Sequence, residues 1–132
     1  MLLLIACSQK KTTNDIQINQ QSRVITYKIV ENETDDLCLK WEKPEMEEFF
    51  DIFPLLDSVS SIEWNGCFDN WSCGYEGEVV IEGENFSFSL DAGGWVILYN
   101  KESQLYYVCR KKACKKYFPS TSACDSLGNY LH

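Results

Sequence analysis

Paired carboxylates are the first residues in this chain whose spacing could do chemistry. Glu76 and Glu78, and likewise Glu82 and Glu84, stand two apart. Two carboxyl groups flanking a glycosidic bond can divide the roles of acid and nucleophile or base between them. In a strand, however, residues i and i+2 share a face without converging on a substrate, and a chain with 20 Asp and Glu contains such pairs by composition. Nucleophilic catalysis of the Ser-His or Cys-His kind needs a base titrating near neutrality, and the single histidine is His132, the last residue. There is no phosphate-cradling glycine loop, no G-x-G-x-x-G and no H-E-x-x-H. The residues therefore predict no catalytic set, no cofactor and no metal. A carboxylate-dependent glycan hydrolase is the enzymatic alternative.

Seven cysteines supply the remaining reactive groups. The run Leu4-Ile5-Ala6-Cys7 resembles the lipobox of bacterial lipoprotein signal peptides. The resemblance covers the N-terminus alone. It implies that residues 1–6 are the remnant of a signal peptide, that Cys7 receives the lipid and becomes the first mature residue, and that the membrane is reached through that anchor. Ser8 stands where enteric lipoproteins retained in the inner membrane carry aspartate, which by the same resemblance implies the periplasmic face of the outer membrane. Residues 8–22 lack aromatic residues and apolar periodicity and read as a flexible tether, leaving 23–132 as one globular domain.

Without Cys7 the set is even: Cys38, Cys67, Cys73, Cys109, Cys114 and Cys124. Three disulfides suit an oxidising compartment. The spacing does not choose among connectivities, but Cys67–Cys73 and Cys109–Cys114 are the natural local bridges. The first would close a turn containing Asp69, Asn70 and Trp71 for roughly 2 kcal/mol of stability. Zinc sites favour C-x2-4-C pairs, often with histidine; here the pairs are C-x5-C and C-x4-C. No C-x-x-C is present to lower a thiol pKa.

Aromatic residues crowd the stretch from Trp64 to Tyr75, with two Trp, one Phe, one Tyr and two Gly among Asn and Asp. Rigid aromatic anchors in a constrained loop lose little entropy on binding, so Asp69, Trp71, Tyr75, Glu76 and Glu78 are the candidate partner contacts. The competing reading makes Trp64, Phe68 and Trp71 core residues. Charge is as uneven as the aromatics. Residues 31–91 hold seventeen acids against Lys40 and Lys43, whereas Lys101, Arg110, Lys111, Lys112, Lys115 and Lys116 oppose only Glu102 across residues 101–116. An acidic body with one basic patch would steer a cationic partner, and the sequence pI near 4.6 argues against nucleic acid.

These residues need elements to place them. Arg23 to Val30 reads as a strand. Met46, Phe49, Phe50 and Phe53 recur at helical spacing after Pro44, which suits a first turn enriched in Glu45, Glu47 and Glu48. Pro54 should stop or kink that amphipathic helix, leaving Leu55, Leu56 and Val59 as a continuation or a second short turn. Ser61 to Phe68, Glu76 to Glu82, Asn85 to Leu90, Trp95 to Tyr99 and Gln104 to Arg110 carry strand-like residues. Short turn signals between the last four predict an antiparallel meander, with Phe86, Phe88 and Leu90 turned to the helix and Ser87 and Ser89 away from it. The expected fold is α+β: an antiparallel meander sheet with one amphipathic helix on a face, stapled by disulfides. A small all-β barrel is the alternative.

Address, charge and the missing catalytic set predict a periplasmic lipoprotein that binds and neutralises another protein, such as a cationic toxin or cell-wall hydrolase. In architecture and charge it resembles lipoprotein lysozyme inhibitors and the immunity proteins of interbacterial toxins, as a class and without a matched motif. A structural or assembly lipoprotein of an envelope complex is the second reading.

Overall fold

A computed structural model describes residues 22–122 and residue 124. Six strands form one antiparallel sheet: β1 (Arg23–Val30), β2 (Asp57–Val59), β3 (Gly74–Ile81), β4 (Glu84–Asp91), β5 (Trp95–Tyr99) and β6 (Gln104–Val108), in the spatial order β1-β3-β4-β5-β6-β2. The sheet is open and predominates over short helical pieces, so the barrel alternative is excluded. Cys7, residues 8–21 of the expected tether and His132 lie outside the described residues; Ser22, placed in the tether by the sequence, is buried, and its hydroxyl accepts from the Glu82 N–H.

The expected meander is present from β3 to β6, each strand pairing antiparallel with the next. Its tightest connection is Glu82-Gly83 between Ile81 and Glu84. Both turn residues have positive φ, 52° and 84°, as a type I′ hairpin requires to match the twist of its strands. Glutamate has no local hydrogen bond to offset that conformation, whereas asparagine tolerates it. Glu82→Asn is therefore expected to stabilise the domain by about 0.5–1 kcal/mol in urea unfolding.

One face of the sheet is covered by a helical segment in three pieces: a 3-10 turn (Met46–Glu48), the α-helix Phe49–Ile52 and a second 3-10 turn (Phe53–Leu55). Pro54 lies inside the last of these. Its missing N–H and its ring are tolerated in a first turn but not deeper in a helix, so the segment tightens and ends. Phe49 and Ile52 are buried against Phe86, Phe88 and Leu90, with the rings of Phe49 and Phe88 5.1 Å apart. Leu55 lies in that second short turn, whereas Val59 belongs to β2, which the chain then enters.

Ser61 to Phe68 is not a strand but an α-helix, Ser61–Cys67. The Ser60 hydroxyl accepts from the Glu63 N–H at 3.1 Å, and Ser-x-x-Glu is a helix-start signature that outweighs the β preference of Ile62 and Trp64. The helix packs on the opposite, far face of the sheet. There Trp64 stands edge-on to Trp95 at 5.2 Å in a small cluster with Phe68, Ile97 and Val108. A further short helix, Asp36–Lys40, is capped by Asp35, which accepts from the Leu37 N–H. One turn and a half is too short to leave a periodic signal.

The disulfides are Cys38–Cys73, Cys67–Cys124 and Cys109–Cys114. The local bridge at 109–114 is as expected; the bridge expected at 67–73 does not form. Cys67 ends the far-face helix and belongs to the cluster of Trp95 and Val108, while Cys73 opens β3 beside Cys38 and Ala92 in a separate cluster. Residues between them turn around the end of the sheet, which separates two thiols that are close in sequence.

Candidate functional site

The far face is only half covered. The Ser61–Cys67 helix packs over β5, β6 and β2, leaving the β1-β3-β4 half open. Strand alternation makes that half polar: Thr26 and Lys28 from β1, Glu76 and Glu78 from β3, Ser87 and Ser89 from β4, all placed side by side by register. Two adjoining depressions follow the surface. One, of about 420 Å³, is lined by Thr26, Lys28, Glu76, Glu78, Ser87 and Tyr99. The other, of about 340 Å³, lies toward the Asn70–Cys73 loop and includes Ser72, Ser89 and Trp95. Glu76 lines both. Lys28 sits 3.9 Å from Glu76, and among the described residues Glu78 has no ion pair.

No protein-family model, no curated protein and no solved structure matches this chain. Its chemistry is therefore read from its own residues.

At the upper end of the open face the chain is held by one buried carboxylate. Asp91 is 4% exposed. Its Oδ2 accepts from the N–H groups of Trp71 (3.0 Å) and Gly93 (2.8 Å), and its Oδ1 from that of Cys73 (3.2 Å). Burial pushes its pKa up, against the pull of these backbone N–H groups and that of Ser72. Both oxygens are thus spent on holding the 71–73 loop to the β4–β5 turn. The Trp95 indole donates to the Asp69 carbonyl at 2.8 Å, and Gly93 is required beneath it: a Cβ there would meet the Asp69 carbonyl oxygen at 1.9 Å.

The five expected contact residues separate. Glu76 and Glu78 come together on the open face, and the Asp69 side chain is exposed on the loop beside it. Trp71 is half-buried against Cys38, Cys73 and Ala92, and its Nε1 is buried without a partner. It forms part of the loop's packing and does not stand out as an anchor. Tyr75 is a correction: it is 7% exposed, its hydroxyl donates to the Pro44 carbonyl at 2.8 Å, and it fixes the start of the helical segment to β3. Sequence reasoning missed Lys28, whose place beside Glu76 depends on the long-range pairing of β1 with β3; Ser87 and Tyr99, also missed, line up beside Glu78 through the β3–β4 and β4–β5 hairpins, where alternation was the available signal. It also missed Asp91, which reads as an ordinary turn aspartate in Asp91-Ala92-Gly93-Gly94.

As chemistry, the arrangement sets carboxylates, hydroxyls and one amine side by side on an open surface. Glu82 lies in an exposed hairpin turn that Glu84 follows, and Glu76 and Glu78 project from one strand into open solvent, without a wall to exclude water. Among the described residues no group of three or more His, Cys, Asp or Glu could hold a metal, and no helix is long and apolar enough to cross a membrane. Part of the basic stretch is neutralised within the fold: Arg110 pairs with Glu63, and Lys111 with Asp57 at 3.1 Å.

Proposed function

We propose that this chain is a non-enzymatic binding protein that docks a cationic protein on the open half of its sheet and neutralises it, with Glu76 and Glu78 as the charged contacts. The observation that carries the reading is the open face itself: a rigid, polar half-sheet presenting two carboxylates, hydroxyls and the exposed ring of Tyr99 on a frame closed by three disulfides. A surface on strands loses little entropy when it binds. The lipobox resemblance adds the address: an anchor on Cys7 would hold the domain at the periplasmic face of the outer membrane, where toxins and cell-wall hydrolases act.

The oxidised full chain, used as bait on envelope and secreted fractions, is expected to retain one basic hydrolase or toxin at near-equal stoichiometry and to abolish its activity. Reversing both carboxylates, Glu76→Lys with Glu78→Lys, is expected to slow association about tenfold or more at low salt and to flatten its salt dependence. Association rates that do not change would overturn the role of the open face. Retention of envelope-assembly components at fixed ratio, without inhibition, would replace the inhibitor by a structural lipoprotein.

A further inference from the structure

The two edges of the sheet are unlike. β2 has three residues, and its Asp57 is ion-paired to Lys111, so it offers little backbone to a stranger. β1 has eight residues, and from Thr26 to Val30 it pairs, among the described residues, on one side only, with β3. Its apolar side chains are exposed: Ile25 by 44%, Tyr27 and Ile29 by 51% each. The other large exposed hydrophobics, Leu39, Ile62, Tyr99 and Leu105, lie on separate elements. An exposed, long, apolar edge is a template for another strand.

We infer that the occupant is the same strand of a second copy, paired antiparallel about a two-fold axis through Tyr27, so that two sheets become one. A two-fold axis perpendicular to the sheet keeps like faces together, which restricts self-pairing to registers that place apolar residues beside apolar ones. Centring on Lys28 would set two lysines directly opposite, which is destabilising. Centring on Tyr27 sets Tyr27 against Tyr27 and Lys28 against Thr26, and brings Ile29 to the irregular position of Ile25, which has no partner in the pairing with β3. The charges then alternate along one row of the far face. Because Glu78 lies beside Thr26 and Glu76 beside Lys28 within one copy, the row across the junction reads Glu78, Thr26, Lys28, Glu76. Each Lys28 thus gains a second carboxylate two strands away, about 9–10 Å between backbones and within reach of a lysine over the short threonine. The register shift between Val24 and Thr26 bends the strand and limits the ladder at both ends. This pairing does not depend on the proposed neutralising role; it would double the open face whatever that face binds.

The test is sedimentation equilibrium of the full chain carrying Cys7→Ser, over a concentration series extending to millimolar protein, together with cross-linking. The mass is expected to rise from one chain to two, and Ile29→Lys to hold it at one. Directly opposed residues have Cβ atoms about 4.5–5.5 Å apart, close enough to bridge after small adjustment. Tyr27→Cys is therefore expected to give a covalent dimer on oxidation, whereas Lys28→Cys, whose two copies are only diagonal neighbours, is not. Both side chains are exposed, and an unchanged urea midpoint verifies folding. A single-chain mass throughout the series, a dimer indifferent to Ile29→Lys, or cross-linking at 28 in place of 27 would each overturn the pairing.

Discussion

Replacing Cys67 and Cys124 together by alanine is expected to cost about 4 kcal/mol of unfolding free energy, and replacing Cys109 and Cys114 only about 2. The difference comes from the chain they close. Cys67 and Cys124 are 57 positions apart, Cys109 and Cys114 five. A cross-link removes more freedom from the unfolded chain the longer its loop. The long bridge also ties the C-terminal stretch to the small far-face cluster, where Cys67 packs with Trp95 and Val108, so its removal leaves a gap in that packing as well. Cys38–Cys73, 35 apart, should cost nearly as much as the long bridge. Urea unfolding of the three paired variants ranks them directly. Equal losses, or the largest loss at 109–114, would show that native packing and not loop closure sets the contribution of these bridges.

Asp91 is a polar side chain whose removal should do comparable damage. Asp91→Ala leaves the N–H groups of Trp71, Cys73 and Gly93 without their acceptor in a site too closed for full rehydration. The expected loss is about 3–5 kcal/mol. Asp91→Asn keeps one acceptor oxygen and turns an NH2 toward an N–H it cannot satisfy, for about 1–3 kcal/mol. The acid also predicts a slope with pH. Burial raises its folded pKa above the ordinary 3.8, so just above that value the folded state holds a proton that the unfolded state has released. Stability from this group is then fully present below the unfolded pKa and falls as pH rises through the folded one. The gap in unfolding free energy between the native chain and Asp91→Asn should therefore narrow from the acid side toward neutrality. A gap that widens instead would mean that the N–H groups outweigh burial and that the pKa is depressed.

Local features of the fold were legible because they rest on local physics. The meander from β3 to β6 is written in alternation and in glycine-bearing turns a few residues long. Phe88 faces Phe49 because strand and helix periods both mark them as inward. The Ser61–Cys67 helix is also written, in Ser60 and Glu63, against a strand signal from the β-branched and aromatic residues that follow. Tyr75 carries a similar conflict: alternation with Glu76 and Glu78 turns it inward, whereas its place in an aromatic cluster reads as a surface anchor. What no local rule reaches is the pairing of β1 with β3, and hence the row of Thr26, Lys28, Glu76 and Glu78, together with the partners of Cys38, Cys67, Cys73 and Cys124. Those depend on contacts between residues far apart in sequence, 35 and 57 positions for the two long bridges, of the kind that loop closure makes costly and periodicity does not record.

The first strand among the described residues is an edge strand, and the first disulfide follows soon after. A pull applied at the N-terminus loads the Arg23–Val80 end of the ladder first and frees β1 one pair at a time toward Val30 and Gly74; strands loaded in shear would resist with all their bonds at once. Peeling stops at Cys38, where the Cys38–Cys73 bond passes the load to the start of β3 and so to the middle of the sheet. A short stretch at the entrance can yield as a mechanical leader, while everything past Cys38 keeps its shape under tension.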